Sequence, residues 1–188
     1  MTATLIDGVA VSKIIRSEWK QRVAVLRERG ITQGLAVILV GDNPASQVYV
    51  RNKVKACGEM GLHSELHQFP GDVPEQAVLA RIAQLNIDPK IHGILVQMPL
   101  PPQIDANQVI ERVHPGKDVD GFHPYNIGRL ASRVPALRPC TPYGVIGLLE
   151  GVNEPFQRRP PVLWGASNHV GRRLAVALPL VVSGFVLE

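Results

Sequence analysis

Tyr49 and Lys53 stand four residues apart in Ser46-Gln-Val-Tyr-Val-Arg-Asn-Lys53. On a helix, Tyr49, Lys53, Ala56, Cys57 and Met60 share one face, while Arg51, Asn52, Lys55 and Glu59 take the opposite one. Lysine is rarely buried without a partner. A desolvated lysine has its pKa lowered from ~10.4 toward ~7–8, which makes it a usable proton carrier. The plainer alternative is that Lys53 reaches water from the helix edge along its apolar stem.

Gln97 is the next candidate. It ends the run Ile91-His-Gly-Ile-Leu-Val-Gln97, which Met98-Pro-Leu-Pro-Pro102 stops abruptly. Ligands in open α/β sheets bind at the carboxyl ends of the strands, and a polar residue in that place points there. Its amide can donate to a carbonyl or accept from an ammonium; the alternative is a capped strand end. Asp118 and Asp120, two residues apart in His114-Pro-Gly-Lys-Asp-Val-Asp-Gly-Phe-His-Pro124, can hold an amino or guanidine-like edge of a ligand or form an Asx turn. Gly165-Ala166-Ser167-Asn-His-Val-Gly171 is a candidate phosphate cradle at a helix start, with Ser167 and Val170 in place of the later glycines of the dinucleotide fingerprint. His63 and His67 make no convincing metal site, because four residues of strand separate them by about 13 Å.

The elements that position these residues follow from apolar periodicity. Val9–Arg29 is expected as an amphipathic helix, stopped by Gly30. Gly34-Leu-Ala-Val-Ile-Leu-Val-Gly41 is expected as a strand buried on both faces. Asp42-Asn43-Pro44 then opens a helix to about Met60, with an Asx cap and proline in the first turn. A strand over Leu62–Phe69, a helix over Pro74–Leu85, a strand over Ile91–Gln97 and a short helix over Ile104–Val113 repeat the cycle. The stretch Gly116–Pro142 is rich in Gly, Pro, Asp and Asn and is expected as mostly loop. A helix over Tyr143–Glu150, a short apolar stretch at Pro161–Trp164 and a helix to about Leu178 complete the reading. Alternating helices and continuously apolar strands mean an α/β fold with a mostly parallel sheet.

Composition narrows the function class. The chain has 188 residues, 45% hydrophobic and 19% charged, as a globular protein does, which excludes a disordered chain or a coiled coil. Net charge is +4 with no basic run, and aromatics are 5%. That favours small anionic ligands slightly and argues against a nucleic-acid partner. Cys57 and Cys140 form neither a disulfide framework nor a structural zinc motif. Without a secretory signal or a spanning stretch, a cytoplasmic protein with no membrane partner is expected.

Five segments, in order, resemble the bifunctional methylenetetrahydrofolate dehydrogenase/cyclohydrolase family: Gly41–Lys53, Gly93–Pro101, Lys117–Asn126, Arg138–Pro142 and Gly165–Gly171. The resemblance implies an NADP-dependent oxidation of 5,10-methylenetetrahydrofolate and hydrolysis of the methenyl product to 10-formyltetrahydrofolate, in one cleft between two domains. It implies Lys53 as the catalytic lysine, shuttling a proton during water attack, and Tyr49 packed on the folate ring. Gln97 would bond Lys53 and keep it available in its neutral form. Asp120 would hold the pterin's amino edge, Val96 and Met98 would line the folate pocket, and Gly165, Ala166 and Ser167 would meet the NADP phosphates.

It further implies an N-terminal αβα folate-binding catalytic domain over 1–142, followed by an incomplete Rossmann-like NAD(P)-binding domain over 143–188, and a homodimer in the full-length form. Arg173 stands where the family commonly has proline, and the tail from Pro179 matches poorly. A C-terminal truncation is therefore expected, with the part beyond about Gly151 poorly folded and, as the alternative to an enzyme, a catalytically silent folate-binding fragment.

Overall fold

The computed structural model describes residues 5–134, 136–151, 163–165, 167 and 170–178. These form two compact units. One holds residues 15–118; the other combines the described residues of 1–14 and 119–188. The long helix α1 (Gly8–Glu28) contributes to both.

The first unit is the expected α/β layer. Strands β1 (Gly34–Val40), β2 (His63–Phe69) and β3 (Gly93–Val96) form a parallel sheet in the order β2-β1-β3. Helix α2 (Pro44–Met60) carries the chain from β1 to β2, and α3 (Glu75–Ile87) carries it from β2 to β3. Because β2 and β3 flank β1 on opposite sides, right-handed crossovers put α2 and α3 on opposite faces. Ala36, Ile38 and Val40 of β1 meet Val78, Ile82 and Leu85 of α3 in the main core, with Ile94 and Val96 of β3. All eight are at least nine-tenths buried.

The ends of α2 obey local rules. Asn43 Oδ1 accepts the Ser46 N–H at 3.1 Å, Pro44 opens the first turn, and Gly61 closes the helix at φ 83°. Strand β2 is different in kind: it alternates half-buried and exposed polar residues, as suits an edge strand. On one face, His63 Nε2 and His67 Nε2 contact the two oxygens of Glu65, at 3.0 and 3.3 Å.

The second unit departs from the expectation for Gly116–Pro142. Helix α4 (Ala106–Arg112), the expected short helix, and a 3-10 turn at Pro115–Lys117 lead toward this stretch, and α5 (Pro124–Ala131) lies within it. The composition suggested loop, but His123 Nδ1 accepts the Tyr125 N–H at 3.0 Å, Pro124 fits the first turn, and Asn126 and Leu130 are buried at helical spacing. Helix α6 begins at Cys140, three residues before the expected Tyr143, and ends at Gly151. Leu130 and Ile146 pack with Ala177 and Leu178 at the end of α7 (Gly171–Ala177). Leu163 and Trp164 lie in no strand, and the rest of that apolar stretch, with the chain from Pro179, lies outside the described residues. So does most of the segment beyond Gly151 that was expected to fold poorly.

Candidate active site

The site grows from the carboxyl edge of the sheet. Only three residues separate the end of β1 from the start of α2, so its first turns stand over that edge. Tyr49 and Lys53, one turn apart, project from it. Val50 and Cys57 are buried beneath, Lys53 is half-buried beside them, and Tyr49 is 62% exposed. An exposed aromatic face can serve as a stacking surface, and here it stands one turn from a half-buried amine.

β3 supplies the partner. Ile38 and Val96 are register partners across the parallel pair, and the Gln97 N–H donates to Ile38 O at 2.9 Å, so the ladder extends one residue past Val96. Val96 packs in the main core with α3. Side chains alternate along a strand, so Gln97 emerges on the α2 face. There the Lys53 ammonium donates to Gln97 Oε1 at 3.2 Å. The other end of the amide is fixed as well: Gln97 Nε2 donates to Met98 O at 2.7 Å. Since nitrogen must face that carbonyl, oxygen must face Lys53. The pair can hold the amine in place, and in its neutral form that amine can take a proton from a water and return it.

Cys57 lies one turn beyond Lys53, but burial pushes its thiol up, so it fills space as a thiol and is a poor nucleophile. Met98 is half-buried beside Gln97.

Asp120 is half-buried in the second unit, and neighbouring Asp118, which is buried, closes a parallel bridge between its main chain and that of Ile94. Gly165 has φ 117° with nothing among the described residues within 4 Å of where a Cβ would stand, and Ser167 is exposed. Ser167 Oγ accepts the N–H groups of Val170 (3.3 Å) and Gly171 (3.2 Å), which leaves its own hydrogen to donate outward. A bare turn and an outward hydroxyl fit a phosphate-bearing cofactor; Ala166 lies outside the described residues. Among the described residues no group of three His, Cys, Asp or Glu side chains is placed to hold a metal ion.

Two features escaped the sequence. Nothing in it marks Met98 O as the acceptor that turns the Gln97 amide. The shared contact of His63 and His67 with Glu65 had a signal, since alternate residues of a strand share a face.

Residues 6–120 match the family described as "Tetrahydrofolate dehydrogenase/cyclohydrolase, catalytic domain". The chain belongs to that family. Tyr49, Lys53, Gln97 and Asp120 all fall inside the matched residues. Among curated relatives, the bifunctional protein FolD of Paraburkholderia xenovorans is 56% identical over 178 residues, covering 95% of this chain and 62% of that protein. FolD of Cupriavidus necator is 57% identical over 178 residues, covering 95% and 63%. The crystal structure of the FolD dehydrogenase/cyclohydrolase from Campylobacter jejuni aligns with a TM-score of 0.94 at 43% identity, over 97% of this chain and 65% of that one. The Trypanosoma brucei family member, crystallised with NADP cofactor and inhibitor, aligns with a TM-score of 0.93 at 34% identity, over 99% and 64%. The chain thus spans less than two thirds of the length of these family members.

Proposed function

We propose that this chain carries the folate site of a bifunctional enzyme. That enzyme oxidises 5,10-methylenetetrahydrofolate with NADP and hydrolyses 5,10-methenyltetrahydrofolate to 10-formyltetrahydrofolate. The single observation that carries the reading is the 3.2 Å contact between Lys53 Nζ and Gln97 Oε1 at the carboxyl edge of the sheet. Hydrolysis of a methenyl bridge needs a group that takes a proton from the attacking water and gives it back, and a positioned amine does both. Gln97 is the positioning partner of Lys53, and Tyr49 offers its exposed ring to the folate. Met98 and Val96 are proposed to line the folate pocket at the same edge, although the Val96 side chain packs in the main core. Asp120 enters the proposal as holder of the pterin's amino edge by its motif alone.

NADP, when bound, accepts the hydride that leaves the methylene carbon. Gly165, Ala166 and Ser167 are proposed to meet its phosphates, supported by the open Gly165 turn and the outward Ser167 hydroxyl. The proposal keeps a catalytic domain over 1–142 and a partial cofactor domain over 143–188. It also keeps a cytoplasmic enzyme that is homodimeric in its full-length form, acts on tetrahydrofolate derivatives and binds neither nucleic acid nor membrane. Among the described residues no helix is long and apolar enough to cross a membrane.

The test is the decay of methenyltetrahydrofolate absorbance with this chain and with Lys53→Ala. Turnover that falls at least about a hundredfold in the variant is the expected result. Unchanged turnover in Lys53→Ala overturns the role of Lys53. Tetrahydrofolate binding without turnover in the parent chain replaces the enzyme with the silent folate-binding fragment.

A further inference from the structure

Helix α2 has a second polar flank. Arg51 lies two residues from both Tyr49 and Lys53, which puts it roughly 160° round the helix from each. There a cavity of about 530 Å³ opens between α2 and the face of β1 and β2, lined by Leu39, Val50, Val54 and Leu66 as its apolar part and by Gln47, Arg51, Lys55 and Gln68 as its polar part. That volume falls in the range of small-molecule sites, about 300–1,000 Å³. Leu66 is 47% exposed, so the apolar wall is wetted. Arg51 makes no ion pair among the described residues, and neither Gln47 nor Gln68 makes a side-chain hydrogen bond there. Lys55 reaches the Glu59 carboxylate at 3.8 Å, a loose pairing that an incoming carboxylate can share.

We propose that this cavity binds a small organic carboxylate with an apolar body, at a site on the opposite flank of α2 from Lys53. The guanidinium of Arg51 matches a carboxylate in plane, Lys55 adds a second positive charge, and the amides of Gln47 and Gln68 add donors around it. The wetted Leu66 gains by covering an alkyl or aryl body, over a floor already closed by Leu39 and Val50. Neither the charge nor the apolar wall alone selects such a ligand; the two together do.

The test uses octanoate, with octanol as its uncharged counterpart, titrated into the isotopically labelled chain and followed by NMR. Octanoate is expected to give saturable shifts confined to Leu39, Val50, Val54 and Leu66, with octanol about tenfold weaker. Arg51→Gln is expected to weaken octanoate about tenfold and leave octanol unchanged. Leu66→Asp, at an exposed position of the apolar wall, is expected to abolish both. Equal binding of octanoate and octanol, an unchanged affinity in Arg51→Gln, or shifts that never saturate overturns the site. Loss of the Lys53-dependent turnover has no bearing on it, because neither Arg51 nor Leu66 belongs to that machinery.

Discussion

Gln97 Oε1 and Lys53 Nζ stand 3.2 Å apart although forty-four positions separate them in the chain. The contact forms because β3 pairs with β1 while α2 rises from the end of β1. It has a direction as well, because Gln97 Nε2 is held by Met98 O.

A substitution can therefore separate position from charge. Gln97→Leu removes the acceptor for Lys53 and leaves Met98 O without its donor. It is expected to cost about 1–3 kcal/mol of stability, read by urea melts, and to lower methenyltetrahydrofolate hydrolysis about tenfold or more. Gln97→Glu keeps an acceptor for Lys53 but sets carboxylate against carbonyl at Met98. Its pH–rate profile is expected to shift, which a purely structural defect does not do. A Gln97→Leu chain with parent-like turnover removes Gln97 from the mechanism.

The cap of α2 makes a second prediction. Asn43 Oδ1 accepts the Ser46 N–H at 3.1 Å. Asn43→Ala is expected to destabilise the chain by about 1 kcal/mol, and Asn43→Ser to restore most of it. Because Tyr49 and Lys53 stand within the first three turns of the helix, fraying of its start is expected to show as a higher KM. A denaturant midpoint unchanged in Asn43→Ala sinks this.

Gly34 opens β1 where the chain around Lys90 crosses closely. Its N–H donates to His92 Nδ1 at 3.1 Å, its carbonyl accepts the His92 N–H at 2.8 Å, and a Cβ there would meet the Lys90 carbonyl. Backbone cannot step aside as a flexible side chain does. Gly34→Ala is expected to cost about 1–3 kcal/mol by forcing β1 and the approach to β3 apart. An alanine variant as stable as the parent in thermal unfolding refutes the close approach.

His67 makes stability depend on pH. Burial and the Arg81 guanidinium push its pKa down, and the Glu65 carboxylate pulls it only part of the way back. Arg81 Nε donates to Nδ1 at 3.3 Å, so Nδ1 is an acceptor and the ring is neutral, with Nε2 turned toward Glu65. With the folded pKa below the unfolded value of about 6.5, the unfolded chain binds more protons between the two. Stability is then complete above about pH 6.5 and falls as pH drops through the folded value. Glu65 is also pushed down, first by its hydrogen bond from His63 and against its partial desolvation, so its own loss begins only below about pH 4.3. His67→Gln is expected to flatten unfolding free energy between pH 7.5 and 5 while leaving the acid limb. A parent curve already flat over that interval contradicts it.

Much of the first unit was legible locally. Asn43, Pro44 and Gly61 mark both ends of α2, and the apolar run from Leu35 to Val40 announces a buried strand. Helix α5 was not legible, because its stabilising features are a histidine cap and buried positions supplied by α6 and α7, while its own composition reads as loop. The five ordered motifs named the family, and residues 6–120 match it.

By itself, the sequence determined the helices and parallel strands of the first unit, because apolar period and caps are local properties. It also determined the chemical inventory of the candidate site: a lysine one turn from a tyrosine, and a glutamine at a strand end. Only the tertiary structure decided that Lys53 meets Gln97, that the Gln97 amide turns its oxygen inward, and that Val96 faces the core. It alone opened a cavity between α2 and the sheet. These depend on the strand order β2-β1-β3 and on which face each helix crosses, and no local periodicity encodes pairing between segments that far apart in the chain.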